Sequence, residues 1–189
     1  MKPVEDSDES LMARFARGEA AAFEVLYRRH EMRIWRYLNR HVGNRECAND
    51  LMQEVWFGVA RDAPRYQPTA RFTTWLFTLA HNRMVDWFRS RRPHESLDAL
   101  GIDAAEITRH TAHDDTEPFA ATLARDQMAA LFDALRQLPQ DQREVFVLQI
   151  EGDLSVEEIA SITGTAFETA KSRLRYARTK LRELLKEYA

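Results

Sequence analysis

Lys171, Arg173, Arg175, Arg178, Lys180 and Arg182 follow one another with no acid between Glu168 and Glu183, and Thr169, Ser172 and Tyr176 stand among them. Ammonium and guanidinium groups bind phosphates or act as paired donors to guanine edges, while hydroxyls reach phosphates or bases. The chemistry on offer is recognition of nucleic acid. Nothing in the sequence supplies a nucleophile–base pair, a glycine-rich phosphate loop or a metal motif, so no catalytic residue and no cofactor are expected. A solvated face on a terminal helix is the plainer alternative, and the elements that carry the cations argue against it.

Those elements read as a helix-turn-helix. Ser155 precedes Glu158 by three residues and Thr165 precedes Glu168 by three, two capping-box patterns that each mark a helix start. Gly164 between them supplies the positive-φ turn. The first helix runs from about Ser155 to Thr163 and buries Ile159, Ala160 and Ile162. The second runs from Ala166 toward the C-terminus with Phe167, Ala170, Leu174, Ala177, Leu181 and Leu184 at helical spacing. Its cationic side suits a major groove.

The rest of the chain sets limits. Only six glycines occur in 189 residues, and Leu, Ala, Arg and Glu abound, which favours an all-helical fold. With 27 basic against 30 acidic residues the net charge is −3, so DNA binding must be local or aided by a partner. No apolar run nears the ~20 residues of a membrane span, and the N-terminal residues are not a signal peptide. The lone Cys47 excludes an internal disulfide and reads as a small packing residue. A cytoplasmic protein without membrane insertion is expected.

Residues 1 to 9 are acidic and expected to fray, with a short helix starting at Ser10 and ending at Gly18. A helix from Ala20 to Val42 carries Phe23, Leu26, Tyr27, Ile34, Trp35 and Leu38, and Gly43-Asn44 ends it. Arg28, Arg29, Arg33, Arg36 and Arg40 line its other side as a solvated face. A third helix, about Glu46 to Asp62, buries Ala48, Leu51, Met52, Val55 and Val59. Asp50, Gln53, Glu54, Phe57 and Arg61 share the opposite face. An aromatic beside two carboxylates and an amide is either a docking face for a basic partner, anchored by Phe57, or a solvated face from which Phe57 folds inward.

Pro64 and Pro68 stiffen the loop that follows, and a helix from Phe72 to about Arg91 comes next, docked by Phe72, Trp75, Leu76, Leu79, Val85 and Phe88. Thr74, Thr78, His81, Asn82, Arg89 and Arg92 offer donors along it. Periodicity alone makes the aromatics core, whereas their interleaving with basic and amide groups suits unstacked single-stranded bases. Pro93 ends this helix. From His94 to Glu117 seven acids face one base, Arg109, which reads as a linker. His94, His110 and His113 lack the paired spacing of a zinc site. A helix resumes near Ala121 with Leu123, Met128, Leu131, Phe132, Leu135 and Leu138. Pro139 opens another that Gly152 breaks. The expected fold is all-α: a helical domain over 1–92, a flexible acidic linker over 93–120, and a four-helix domain with the helix-turn-helix over 121–189.

DLMQEVW at 50–56, FTTWLFTLAHNRMVDWFRSRR at 72–92, LPQDQREVFVLQIEGDLSVEEIA at 138–160 and ETAKSRLRYARTKLRELL at 168–185 together resemble the bacterial RNA polymerase sigma factors of the extracytoplasmic-function (ECF) group, in the order and spacing of the sigma-70 family. The resemblance implies that Asp50, Gln53 and Glu54, with Phe57 beside them, dock on the coiled coil of the polymerase β′ subunit, in a core enzyme whose β subunit is also a partner. It implies that the loop from Tyr66 through Gln67 to Arg71, with Phe72, captures a flipped base of the −10 element. Asn82 faces the same DNA, Trp75 shapes that region, and Thr78 and Arg89 complete the −10 set. Glu168, Thr169, Lys171, Ser172, Arg173, Arg175, Tyr176 and Arg178 fall on the −35-reading helix. Tyr176 stands where many relatives carry arginine, while Arg175 lies one place earlier, a shift of about 100° around the helix. The acidic linker resembles the segment that threads the polymerase channels. Promoter DNA, core polymerase and an anti-sigma factor are the implied partners. The alternative is a helix-turn-helix regulator acting without polymerase. A metal hydrolase using the histidines is a further rival, against which the missing motifs count.

Overall fold

Ser7 accepts the N–H of Ser10 and caps the first helix, α1 (Asp8–Ala16), in the computed structural model, which describes residues 6–91 and 128–186. The helix thus begins before Ser10, and the acids expected to fray are tied down where described. Asp8 meets Arg29 Nη1 at 2.9 Å and His30 Nε2 at 2.7 Å. Apolar spacing located Leu11 and Met12 but could not register a cap that lies ahead of the stripe.

α2 (Ala20–Val42) stops at Gly43, whose φ of 65° turns the chain, and Asn44 then caps α3 (Arg45–Asp62) by accepting the Cys47 N–H at 2.9 Å. So short a connection folds α2 and α3 into a hairpin. A 3-10 turn at Ala63–Arg65 leads through the proline loop to α4 (Phe72–Arg91). These helices enclose Leu26, Ile34 and Leu38 of α2, Leu51, Val55 and Val59 of α3, and Phe72, Leu76, Phe77, Ala80 and Met84 of α4. Val85, expected to dock α4, is only half-buried; Phe77 and Met84 do that work.

The second set comprises α5 (128–136), α6 (Gln140–Gly152), α7 (Val156–Thr163) and α8 (Phe167–Leu184). Leu135, Leu138, Val145, Leu148, Leu154, Ile159, Ile162, Ala170, Leu174, Ala177 and Leu181 fill its core. All the described residues are helix, turn or loop, without strand. Gly152 does not itself break α6. The left-handed residue is Asp153, with φ 50°, and Gly152 is needed because a Cβ there would lie 2.6 Å from Leu154. The expected linker over 93–120, its three histidines, Arg92 and Leu123 fall outside the described residues.

The two sets touch. α6 packs on α2 and α4, and α7 packs on α4. Beside this seam the His41 Nδ1–H donates to the Tyr37 carbonyl at 2.7 Å, and burial holds the imidazole pKa down at about 4.

Candidate nucleic-acid interface

The helix-turn-helix is built as its residues dictate at one end and differently at the other. The Ser155 hydroxyl accepts the Glu158 N–H at 3.2 Å and the Glu158 carboxylate accepts the Ser155 N–H at 2.8 Å, a complete capping box. Gly164 takes φ 62° and donates its N–H back to the end of α7. The second expected box does not form. Ala166 occupies the N-cap of α8, Thr165 instead pairs its hydroxyl with that of Thr163 at 3.0 Å, and Glu168 reaches Lys171 at 3.4 Å. The S/T-x-x-E pattern was one residue out of register with the helix start.

α8 buries Ala170, Leu174, Ala177 and Leu181 on one side and turns Glu168, Lys171, Arg175, Tyr176 and Arg178 outward. Phe167, expected in the buried stripe, is exposed with the Lys171 ammonium 5.5 Å above its ring. Thr169, Ser172 and Arg173 are half-buried, and the Ser172 hydroxyl donates to the Thr169 carbonyl at 2.9 Å. Arg173 is drawn down to Asp141 and Arg178 to Gln149 Oε1 at 2.6 Å, both on α6. Arg175 lies against the Tyr176 ring at 5.0 Å and donates to its hydroxyl at 3.2 Å. Between Glu168 and Arg178, the exposed donors not drawn onto α6 are therefore Lys171 and the Arg175–Tyr176 pair.

The proline loop rests on aromatics. The Tyr66 ring meets Trp75 at 5.1 Å and Phe72 at 6.2 Å, both edge-on, and burial pushes its phenol up to about 12. Gln67, Pro68, Thr69, Ala70 and Arg71 are exposed. Phe72, assigned to the −10 set from the sequence, has its side chain 0% exposed and packed against His30 at 5.5 Å, so in the free chain it supports the loop from beneath. Its backbone N–H donates to Glu9 Oε1 at 2.8 Å, a bond that holds the Glu9 carboxyl low. Sequence reasoning missed Glu9. The available signal was Ala70-Arg71, which offers the first turn of α4 no side-chain acceptor. Arg71, Trp75, Thr78, Asn82 and Arg89 share one stripe of α4 at helical spacing. Asn82 and Arg89 are exposed; Trp75 and Thr78 are half-buried, the Thr78 hydroxyl donating to the Thr74 carbonyl at 2.7 Å.

On α3 the alternative left open is decided for exposure. Phe57 is 71% exposed, and Asp50, Gln53, Glu54 and Arg61 are exposed with it. Met52, expected in the core, is half-buried against it and also lines a cleft with Glu31, Met32, Trp35 and Asn49 beside that face.

Residues 26–94 match the family model for sigma-70 region 2, and residues 128–181 match that for sigma-70 region 4. The chain is 39% identical over 176 residues to RNA polymerase sigma factor CarQ of Myxococcus xanthus, covering 93% of this chain and 96% of that one. It is 37% identical over 146 residues to the ECF sigma factor EcfG of Rhodopseudomonas palustris, covering 76% and 74%. This chain belongs to the ECF group of RNA polymerase sigma factors. Its structure is similar to that of CnrH, a sigma factor of Cupriavidus metallidurans solved in complex with the cytosolic domain of CnrY. That match has a TM-score of 0.66 at 25% identity and covers 97% of this chain and 100% of that one.

As a sigma factor it is a transcription regulator that serves core polymerase and promoter DNA. Among its described residues no helix is long and apolar enough to cross a membrane, and no group of acids, histidines and cysteines could hold a metal. Its α4 is partly occupied by its own second helical set. The Thr74 hydroxyl donates to Glu158 Oε1. Arg71 Nη1 lies 3.7 Å from Glu158 Oε2 and donates to the Asp153 carbonyl at 3.2 Å. His81 Nδ1 meets Glu144 Oε1 at 2.8 Å. Burial raises Glu144 and Glu158, but the His81 contact on one, and Thr74 with the Ser155 N–H on the other, outweigh it and hold both below the usual carboxylate range.

Proposed function

We propose that this sigma factor docks on the β′ coiled coil through Asp50, Gln53, Glu54 and Phe57 of α3. It then reads the −35 duplex with α8 and holds the melted −10 strand with the Tyr66–Arg71 loop and the Arg71–Arg89 stripe of α4. The domains run over 1–92 and 121–189, joined by 93–120, and the protein works in the cytoplasm, where polymerase and promoters are. The chemistry is the polymerase's own; the sigma factor positions DNA, and trapping an extruded base offsets an unstacking cost of a few kcal/mol. CnrH was solved in complex with the cytosolic domain of CnrY, and an anti-sigma factor covering the polymerase- and DNA-binding faces would hold this chain inactive.

The observation that supports docking is Phe57, 71% exposed in a ring of carboxylates and an amide. A large apolar side chain kept in water next to charges suits a partner that buries it. Binding to purified core polymerase tests the reading, with Asp50, Gln53 and Glu54 all changed to alanine. The expected result is at least about a tenfold loss of affinity, roughly 1.4 kcal/mol. Unchanged affinity would refute the docking assignment.

A further inference from the structure

Arg33, Arg36 and Arg40 fall at i, i+3 and i+7 on α2, one side of one helix. All three converge on Glu151. Arg36 Nε donates to its carboxylate at 2.9 Å, Arg40 Nη1 donates to the other oxygen, and Arg33 Nε donates to its backbone carbonyl at 2.5 Å. Arg40 and Glu151 are nearly sealed from solvent, at 7% and 6% side-chain exposure. The Arg40 guanidinium lies 5.4 Å over the Phe132 ring, and its Nε has no partner among the described residues.

Among the described residues the charges do not balance. Two guanidiniums share one carboxylate, a third rests on the backbone carbonyl of the same residue, and burial and then the like charge of Arg36 both work against the charge on Arg40. A permanent interface gains little from burying excess cation, since desolvation of an ion costs several kcal/mol unless it is fully paired. A guanidinium fork fits a phosphate, and a row of them fits a phosphate backbone. The row also continues the DNA side of α4. Arg33 rests on the Glu151 carbonyl and Arg71 on the Asp153 carbonyl, two residues apart across the C-terminal end of α6. Glu144, Glu151 and Glu158, seven residues apart, lie in turn on His81, on the arginine row, and on Arg71 with Thr74.

We propose that Arg33, Arg36 and Arg40 form a phosphate-binding face for promoter DNA, continuous with the −10 surface, and that Glu151 occupies it until the two helical sets separate. The inference rests on the −10 assignment of the loop and α4. It extends the DNA path onto α2, and it makes the Glu144–Glu151–Glu158 series a stand-in for phosphates.

The test uses the full chain and a fluorescein-labelled single strand of about 20 nucleotides, followed by anisotropy from about 50 to 300 mM NaCl. Wild type, Glu151→Ala and Glu151→Ala with Arg33→Gln, Arg36→Gln and Arg40→Gln are compared. Glu151→Ala should bind about tenfold more tightly than wild type. The arginine substitutions should abolish that gain and lower the log K against log salt slope by about 2, at roughly 0.7 per phosphate contact. Equal affinity in all three, or a gain that survives the arginine substitutions, overturns the proposal and leaves the arginines as a latch for Glu151. Arg71→Ala in the Glu151→Ala background reads the −10 assignment separately. A loss there, with none from the arginine row, would refute this inference alone. Should Glu151→Ala not fold, the arginine triple variant in the wild-type background is bound to core polymerase and the same strand. A slope reduced by about 2 supports the face, and an unchanged slope overturns it.

Discussion

α4 and α8 are both proposed to meet DNA, yet they stand in opposite conditions. α8 presents Lys171, Arg175 and Tyr176 to solvent, and the neighbours that pull on it, Asp141 and Gln149, belong to its own helical set. α4 has one flank covered from the other set, with Arg71, Thr74 and His81 engaged by Glu158 and Glu144. The difference follows from what each must bind. A duplex-reading helix needs only an exposed face, whereas a surface for unstacked bases carries aromatic area that costs free energy to leave in water. In the free chain the Glu158 and Glu144 carboxylates occupy the donors on that flank. With a net charge of −3, the free sigma factor would touch duplex weakly through α8 and melted DNA hardly at all.

The largest effect that breaks the comparison removes the support of one side. Leu174 is buried under α8, and Leu174→Ala should cost about 2–5 kcal/mol in denaturant unfolding and abolish duplex binding. A smaller but comparable effect comes from His41, buried neutral beside the seam with a pKa of about 4 against an ordinary 6.5. The unfolded chain takes up this proton at a higher pH than the folded one. Stability should therefore fall as pH drops from 6.5 to 4, by about 3 kcal/mol from this group. His41→Gln should flatten that part of the pH profile.

A subtler pair separates the faces themselves. Lys171→Ala with Arg175→Ala should lower duplex affinity about tenfold and the salt slope by about 2. Arg71→Ala should leave free-protein duplex binding unchanged and impair only polymerase-dependent melting, read by permanganate reactivity. The smallest effect is Glu158→Gln, which keeps an acceptor for the Ser155 N–H but removes the charge facing Arg71. Single-strand affinity should rise about threefold. The Glu158 and Glu144 carboxyls are held low in the closed molecule, so their closing contribution is full above about pH 4.5 and is lost as pH falls through the depressed values.

Much of this was legible in the chain. The α2 limits, the buried positions of α8 from Ala170 to Leu181 and the Ser155–Glu158 box all follow from local pattern, because caps and apolar spacing act within a few residues. Phe57 showed its unusual company in sequence, but whether it points outward depends on which residues α3 buries, and that is tertiary. The burial of Phe72 was not legible, because helix spacing cannot separate a residue with an exposed ring from one that holds the loop underneath. Arg33, Arg36 and Arg40 looked like a solvated face because their partner, Glu151, lies more than a hundred residues away in sequence.

The most direct test follows the distance between the two sets. With Cys47→Ser, fluorophores at Arg28→Cys on α2 and Thr179→Cys on α8 report energy transfer in the full chain, free and on saturating core polymerase. High transfer in the free protein, falling sharply on polymerase binding, is the result expected if α4 is covered until docking. Equal transfer in both states would contradict it, because α4 would then bind DNA with Glu144 and Glu158 still in place.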